Sequence, residues 1–523
     1  MFKGHPKGLI AAALSNMGER FGYYIMNAVL LLFLCSKFGI PDETAALIYA
    51  VFYFSIYVMA LPGGIVADKL QNYKGTIMAG LITMAIGYIV LSIPLAVDAA
   101  SKTMVLVVTC VALLVIAAGN GLFKGNLQAI VGQMYDNLEA EAAKKGPEAL
   151  AEAQSKRDPG FQIFYVFINI GGVLAPFVAP SLRQWWLGRN GMTYNSDLPA
   201  LCHQYINDAT GMDATQQANL VTWMTENNSN FDPNNLMAAC ENYLQVFNTG
   251  VHYSFIASVA AMLISFAIFL IFKNQFPAPA KKAEKVAVEY SAEEKAAMAK
   301  DIKQRMAGLY AVLAICVFFW MSFHQNGQSL SLFARNFVNS DSVAPEVWQF
   351  LNPALVILLT PVIMWLFGTA WGRKFSTPKK IVLGMFFAGC AYLFLMIFSM
   401  VVGYPSGTAF MAQDAATISS MKAGAWVLIV TYFFLTVAEL FISPLGLSFV
   451  SKIAPKHIQG ICQGLWLTAT AVGNLLIMIG PILFNKLPSL WMTWAFFLAI
   501  CLIAGIVMFG MLKWLERITS EKQ

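Results

Sequence analysis

Twelve runs of apolar residues, each long enough to cross a bilayer, are spaced along the 523-residue chain. They lie at about 9–36, 43–66, 75–97, 103–134, 161–182, 249–272, 306–337, 346–369, 381–402, 424–450, 459–485 and 489–512. In lipid such a run becomes a helix, because a helix satisfies its own backbone hydrogen bonds. Only 12% of the residues are charged, against roughly 25% in a soluble domain. A soluble enzyme is therefore excluded. The expectation is an all-α membrane protein with twelve transmembrane helices.

Charge decides which way the helices run. With the N-terminus in the cytoplasm, 25 of the 34 lysines and arginines fall in cytoplasmic segments, 7 in outer segments and 2 inside the membrane. Positively charged loops stay inside, so both termini are expected to be cytoplasmic. The net charge of +6 follows from this topology and does not imply nucleic acid. Lys3 and Lys7 precede an apolar run too long for a signal-peptide core, so the first run reads as an uncleaved span.

A charged, Ala-rich linker at 273–305 separates six runs from six. This predicts an N-terminal bundle over 1–272 and a C-terminal bundle over 306–523, with the linker partly helical. "GGIVADKLQNYKG" after the second run has a weak echo in "GTAWGRKFSTPKK" after the eighth. The loop at 183–248 is polar and Asn-rich, and reads as an outer insertion without evident chemistry. It holds Cys202 and Cys240, either a disulfide or two free thiols. Cys35, Cys110, Cys316, Cys390, Cys462 and Cys501 lie in or beside apolar runs and read as small packing residues.

The ionisable residues inside the runs carry the functional reading. Glu19 and Arg20 sit in the middle of the first, where burying a charge costs on the order of 2.5–3.5 kcal/mol. Helical spacing puts Asn16, Arg20, Tyr23 and Asn27 on one stripe, with Glu19 beside Asn16 and Tyr23. They form either a structural ion pair or the wall of a water-filled cavity. Lys124 is the lone cation of "GNGLFKGNLQAIVGQMY". It either snorkels to the surface or pairs with an acid in a cavity, and the second reading is favoured. No strand precedes this Gly-rich run and no Gly-Lys-Ser/Thr follows, which excludes a nucleotide loop. Glu439 is the only charge of the tenth run, and Pro444 is expected to loosen the helix after it. His324 lies among aromatics one turn above Trp320, as a packing residue or a pocket residue.

Together these residues resemble the proton-dependent oligopeptide transporters of the major facilitator superfamily, over nearly the whole chain. "ERFGYY" is similar to the end of that family's ExxERFxYY, "GLFKGN" to GxFKPN, and "FQIFYVFINIGGVLAP" to FYxxINxG. "FFW" with "SLSLFA", "AELFISPLGLSF" and "GLWLTATAVGNLL" resemble its seventh, tenth and eleventh spans. The resemblance implies two six-helix bundles around a central cavity. It implies that Glu19, Arg20 and His324 serve proton coupling. Glu439 would hold a substrate ammonium group and Lys124 its carboxylate. Tyr23, Tyr24, Asn27, Tyr57, Asn169, Trp320, His324, Asn352, Ser443 and Trp466 would line the pocket.

Three positions depart from the family pattern. Asn16 stands where ExxER has its first glutamate, Asn27 where the family has an arginine, and His324 where it has an acid. Losing both members of an ion pair strands no charge, so Asn27 and His324 are expected to be a coordinated replacement, touching or not. The function implied is proton-coupled import of di- and tripeptides across the cytoplasmic (inner) membrane by a monomer with no cofactor. The alternatives are a weakly coupled or facilitative carrier of modified peptides or other small zwitterions, and a non-transporting sensor.

Overall fold

A helix in lipid can be no longer than its apolar run without leaving the bilayer, and the architecture follows from where each run ends. The computed structural model describes residues 4–70, 72–98, 100–277, 292–339, 343–453 and 459–520. Twelve of its helices are long and apolar enough to cross a membrane. Spans 1–6 are Gly8–Phe38, Asp42–Ala67, Tyr73–Ser92, Lys102–Ala143, Ile163–Arg189 and Pro233–Ile271. Spans 7–12 are Ile302–Phe337, Pro345–Phe367, Thr377–Val402, Trp426–Ser443, Gly464–Lys486 and Leu490–Gly510. Crossing by crossing, the 183–248 loop lies at one end of the molecule, the loop end. The termini and the 273–305 segment lie at the other, the linker end. Of that linker, 278–291 lies outside the described residues, and Ala292–Phe323 is one helix running into span 7.

Small residues set the helix contacts. Lipid gives helices no hydrophobic reason to associate, so close backbone approach must do it. Gly18 and Gly22 bracket the Glu19–Arg20 pair and press span 1 against span 6. A Cβ on Gly18 would sit 2.2 Å from Ser265 Oγ, and one on Gly22 would sit 2.7 Å from Met262 Cε. The Ser258 hydroxyl donates to the Gly22 carbonyl at 3.0 Å. "GERFG" thus packs one face of the helix and aims its charges off another.

Three spans are broken, each at membrane depth. Span 2 changes at Met59, between Asp42–Val58 and Ala60–Leu70. Span 7 passes through a 3-10 turn at His324–Gly327 before Ser329–Phe337. Span 11 is interrupted between Gln459–Leu476 and Ile479–Lys486. The breaks in spans 7 and 11 satisfy each other. Gln325 Nε2 donates to the Ile477 carbonyl at 3.0 Å, and its Oε1 accepts from Ser329 Oγ at 2.7 Å. Irregular backbone persists at this depth only when protein groups replace the missing bonds. By contrast, Trp426–Ile453 is a single helix through position 444. The loosening expected there does not interrupt it, since a proline can be carried inside a membrane helix whose neighbours support it.

The loop at 183–248 is more ordered than its composition implied. Span 5 continues to Arg189, Leu198–Asn207 and Ala214–Asn227 are helices, and span 6 starts its helix at Leu236. His203 Nε2 bonds the Ser36 carbonyl at 2.7 Å, occupying a carbonyl left open at the end of span 1. Asn219 crosses to the other half, donating to Gln413 O and accepting from Ala415 N, both at 3.0 Å. The segment is a helical cap.

Ion pairs also join the halves at the loop end. Arg183 meets Glu346 at 2.6 Å, Arg335 meets Asp42 at 2.8 Å, and Lys422 meets Asp197 at 3.4 Å. Asn485 adds a bond to Asp42 at 3.2 Å, and Gln328 donates to the Ala46 carbonyl at 3.0 Å. A cavity of about 510 Å³ lies among these residues, beneath the cap.

Candidate functional site

Residues 19 and 20 are sequence neighbours and leave the helix about 100° apart, so a contact requires both side chains to bend toward each other. They do. Arg20 Nε and Nη2 donate to the two Glu19 oxygens at 2.6 and 2.7 Å. Asn120 of span 4 donates a third bond to Glu19 at 2.7 Å. Glu19 is 1% exposed and Arg20 7%, so this is a buried, bidentate ion pair. The Arg20 guanidinium lies 4.8 Å from the centre of the Tyr23 ring. Asn16 is buried one turn earlier.

A ladder of tyrosines continues the wall. Tyr49, Tyr53 and Tyr57 recur every four residues on span 2. Successive ring centres are 5.8 and 5.7 Å apart. Asn27 accepts from Tyr49 at 2.8 Å and from Tyr23 at 3.2 Å. Tyr53 stacks on Tyr23 and meets the edge of His324, with centres 5.0 Å apart. Asn27 and His324 share no bond among the described residues. They belong to one aromatic network instead, with Tyr49 and Tyr53 between them. Of the two arrangements expected, direct contact and no direct contact, the described residues show the second.

In the other half, His324 Nδ1 is 2.5 Å from Asn474 Oδ1. Amide oxygen only accepts, so His324 carries its hydrogen on Nδ1. Its ring stacks on Trp320 at 5.1 Å, and Trp320 meets the edge of Trp466 at 6.5 Å. Trp320 Nε1 and Asn474 Nδ2 are buried donors with no partner among the described residues. Glu439 accepts from Asn352 Nδ2 at 2.7 Å, and the same nitrogen reaches Thr436 at 3.1 Å. Ser443 is half-buried one turn beyond Glu439.

Lys124 departs from expectation. It makes no ion pair with an acid among the described residues; its ammonium group lies over the Tyr57 ring at 4.0 Å. Glu19, whose charge it feels, is already held by Arg20 and Asn120. Lys124 interacts electrostatically with both members of the pair and with His324. Glu439 in turn acts electrostatically on Tyr24, Tyr57 and Tyr165. Tyr57 is thus acted on both by Lys124 of the first half and by Glu439 of the second. Asn169 is buried, with its amide bonded to the Tyr165 carbonyl of its own helix at 3.0 Å. That leaves its nitrogen committed to backbone.

Several participants were not singled out in the sequence. Asn120 lies one turn before Lys124 on the same face, and Tyr49 and Tyr53 share the spacing of Tyr57, so periodicity alone offered a signal for all three. Tyr165, 40% exposed near the linker end of span 5, had a similar signal four residues before Asn169. Asn474 had none, because its importance comes from touching His324.

Twelve spans in two sets of six, broken helices and a central constellation of charges define a membrane solute carrier. A family model described as the POT family matches residues 74–289 and 279–494, and the chain belongs to that family. Among its relatives, the peptide transporter YePEPT of Yersinia enterocolitica subsp. palearctica is 27% identical, covering 100% of this chain and 97% of its own. Dipeptide and tripeptide permease A of Proteus mirabilis is also 27% identical, over 95% of this chain and 92% of its own. A crystal structure of a POT family transporter in complex with 5-aminolevulinic acid superposes with a TM-score of 0.69. It is 19% identical and covers 99% of this chain and 98% of its own. The chain is a multi-pass membrane protein with the major facilitator fold.

Proposed function

We propose that this protein imports di- and tripeptides across the cytoplasmic membrane by alternating access, coupled to protons. In this reading the termini and linker are cytoplasmic, and bundles 1–272 and 306–523 rock about the cavity. One observation carries it. Lys124 and Glu439, from opposite halves, both act on Tyr57, and neither has an ionic partner among the described residues. They offer one positive and one negative site to a zwitterion. Glu439 would take its ammonium group and Lys124 its carboxylate. Trp320 Nε1 and Asn474 Nδ2 would donate to peptide carbonyl oxygens. Binding would neutralise both charges and let the halves close around the substrate. The names of the relatives, peptide transporter and dipeptide and tripeptide permease, support this cargo.

Coupling rests on Glu19. While Arg20 and Asn120 hold it, both oxygens of its carboxylate are occupied by three hydrogen bonds. A proton would bind when Arg20 swings away. His324 would be a second carrier, through the nitrogen not bonded to Asn474. Entry of one net positive charge is worth about 2.3 kcal/mol per 100 mV. Asn16 cannot carry a proton where the family pattern has an acid, and this favours a second reading: a weakly coupled carrier of modified peptides or other small zwitterions.

Uptake of labelled dipeptide into proteoliposomes separates these readings. Accumulation driven by an inward proton gradient is the expected result. Equilibration that ignores the gradient would point to the facilitative carrier, and binding without uptake to a sensor.

A further inference from the structure

The helical cap brings together two cysteines that are far apart in sequence. Cys202 lies on Leu198–Asn207, and Cys240 in the first turns of the helix that becomes span 6. Both are fully buried free thiols on two helices that pack against each other, and Cys240 acts directly on the Cys202 thiol. Among the described residues no group of three or more His, Cys, Asp and Glu is placed to hold a metal ion. Unlike the six other cysteines, which lie in or beside the apolar runs, Cys202 lies between spans 5 and 6 and Cys240 in the polar first turns of the span 6 helix, ahead of its apolar run.

We propose that Cys202 and Cys240 are joined by a disulfide in the mature protein. This rests on the orientation proposed above, which places the cap outside the cytoplasm, where disulfides form and persist. The oxidant is a thiol–disulfide oxidoreductase. One cysteine thiolate attacks its disulfide to give a mixed disulfide, and the second thiolate displaces the oxidoreductase. The two thiols together give up two protons and two electrons, and the oxidant leaves as a dithiol. The step belongs to folding, before the cap closes. Once buried, the Cys202 thiol is held well above its usual pKa and is a poor nucleophile.

The bond has a mechanical consequence. The ring it closes contains Ala214–Asn227, the helix whose Asn219 reaches Gln413 and Ala415 of the other half. A disulfide at its base ties this helix to the root of span 6. The cap then moves as one body with the first half, and opening at the loop end breaks its bonds to the second half together.

The test uses the full-length protein, denatured in detergent and treated with a maleimide before and after reduction. Two of the eight cysteines are expected to react only after reduction in the parent. In Cys202→Ser/Cys240→Ser none should need reduction. Orientation is read separately in that double variant, with Glu226→Cys added in the exposed part of the cap. A membrane-impermeant maleimide should label it on intact cells. Outside labelling with all eight parental cysteines reactive before reduction would overturn the disulfide and leave the orientation standing. Labelling only after permeabilisation would overturn both.

Discussion

Glu439 is the residue on which the substrate reading is most exposed. Its carboxylate accepts from Asn352 and meets no cation among the described residues. Glu439→Gln keeps the shape and an acceptor but loses the charge. A hydrogen bond to a charged group is worth about 1.5–3 kcal/mol, so dipeptide affinity is expected to fall by about 10- to 100-fold. Isothermal titration or competition binding would show it, and unchanged affinity would remove Glu439 as the ammonium site. Glu19→Gln tests a different idea. It strands Arg20 and is expected to abolish gradient-driven accumulation while counterflow exchange of substrate persists. Retention of normal accumulation would exclude Glu19 as the proton carrier. At this scale the sequence was informative, because a charge in an apolar run needs a reason wherever it lies. It could not show that Lys124 would have no acid partner among the described residues. That depended on Asn120 and Arg20 satisfying Glu19 first.

Helices carry the next constraint. Span 2 and span 4 meet backbone to backbone, where a Cβ on Gly121 would lie 2.3 Å from the Met59 carbonyl oxygen and one on Gly63 2.1 Å from the Gly121 oxygen. Neither atom can move without moving a helix. Gly121→Ala is expected to cost about 1–3 kcal/mol and to displace Lys124 one turn away. Thermal unfolding in detergent would register this as a lower Tm, and an unchanged Tm would mean that the two spans separate more easily than their packing implies. The cap has its own sensitivity. Burial, with help from the charge of Lys102, holds the His203 pKa below its usual value of 6.5. The unfolded segment therefore binds more protons than the folded one. The cap's stability is fully present above about pH 6.5 and falls as the pH drops below that value. Hydrogen exchange over 198–207, corrected for intrinsic rates, should show protection lost on acidification, and His203→Gln should flatten the trend. An identical trend in that variant would assign the effect elsewhere.

Across the whole molecule, the loop end is fastened by charges that the two halves share. Arg183 and Glu346 are nearly inaccessible, at 2% and 0% exposed. Arg183→Met leaves Glu346 buried without its partner, a penalty of about 3–5 kcal/mol. That penalty is relieved if the loop end opens and water reaches the carboxylate. Distances between spin labels placed at the loop end of each half are expected to lengthen in Arg183→Met. In Arg183→Met/Glu346→Met the population should return toward the parent. No change in the single variant would mean that Asp42–Arg335 and the cap suffice to hold this end closed.

The chain by itself determined that it would be twelve helices in lipid, because each apolar run must satisfy its backbone within itself. Glu19, Arg20, Lys124 and Glu439 were visible for the same reason, since an ionisable group at that depth is too costly to be incidental. Three outcomes belonged to tertiary structure alone. Periodicity averages over turns and cannot show where a helix breaks, so the 3-10 turn at His324–Gly327 appeared only when Gln325 was seen bonded to Ile477. Polar composition suggested an unremarkable loop between spans 5 and 6, but a cap needs a surface to lie on, and the ends of both halves supply it. The cross-half pairs, Arg183 with Glu346 and Asp42 with Arg335, join residues 163 and 293 positions apart. Each has an ordinary local sequence, and its partner is chosen by the way two bundles of helices meet.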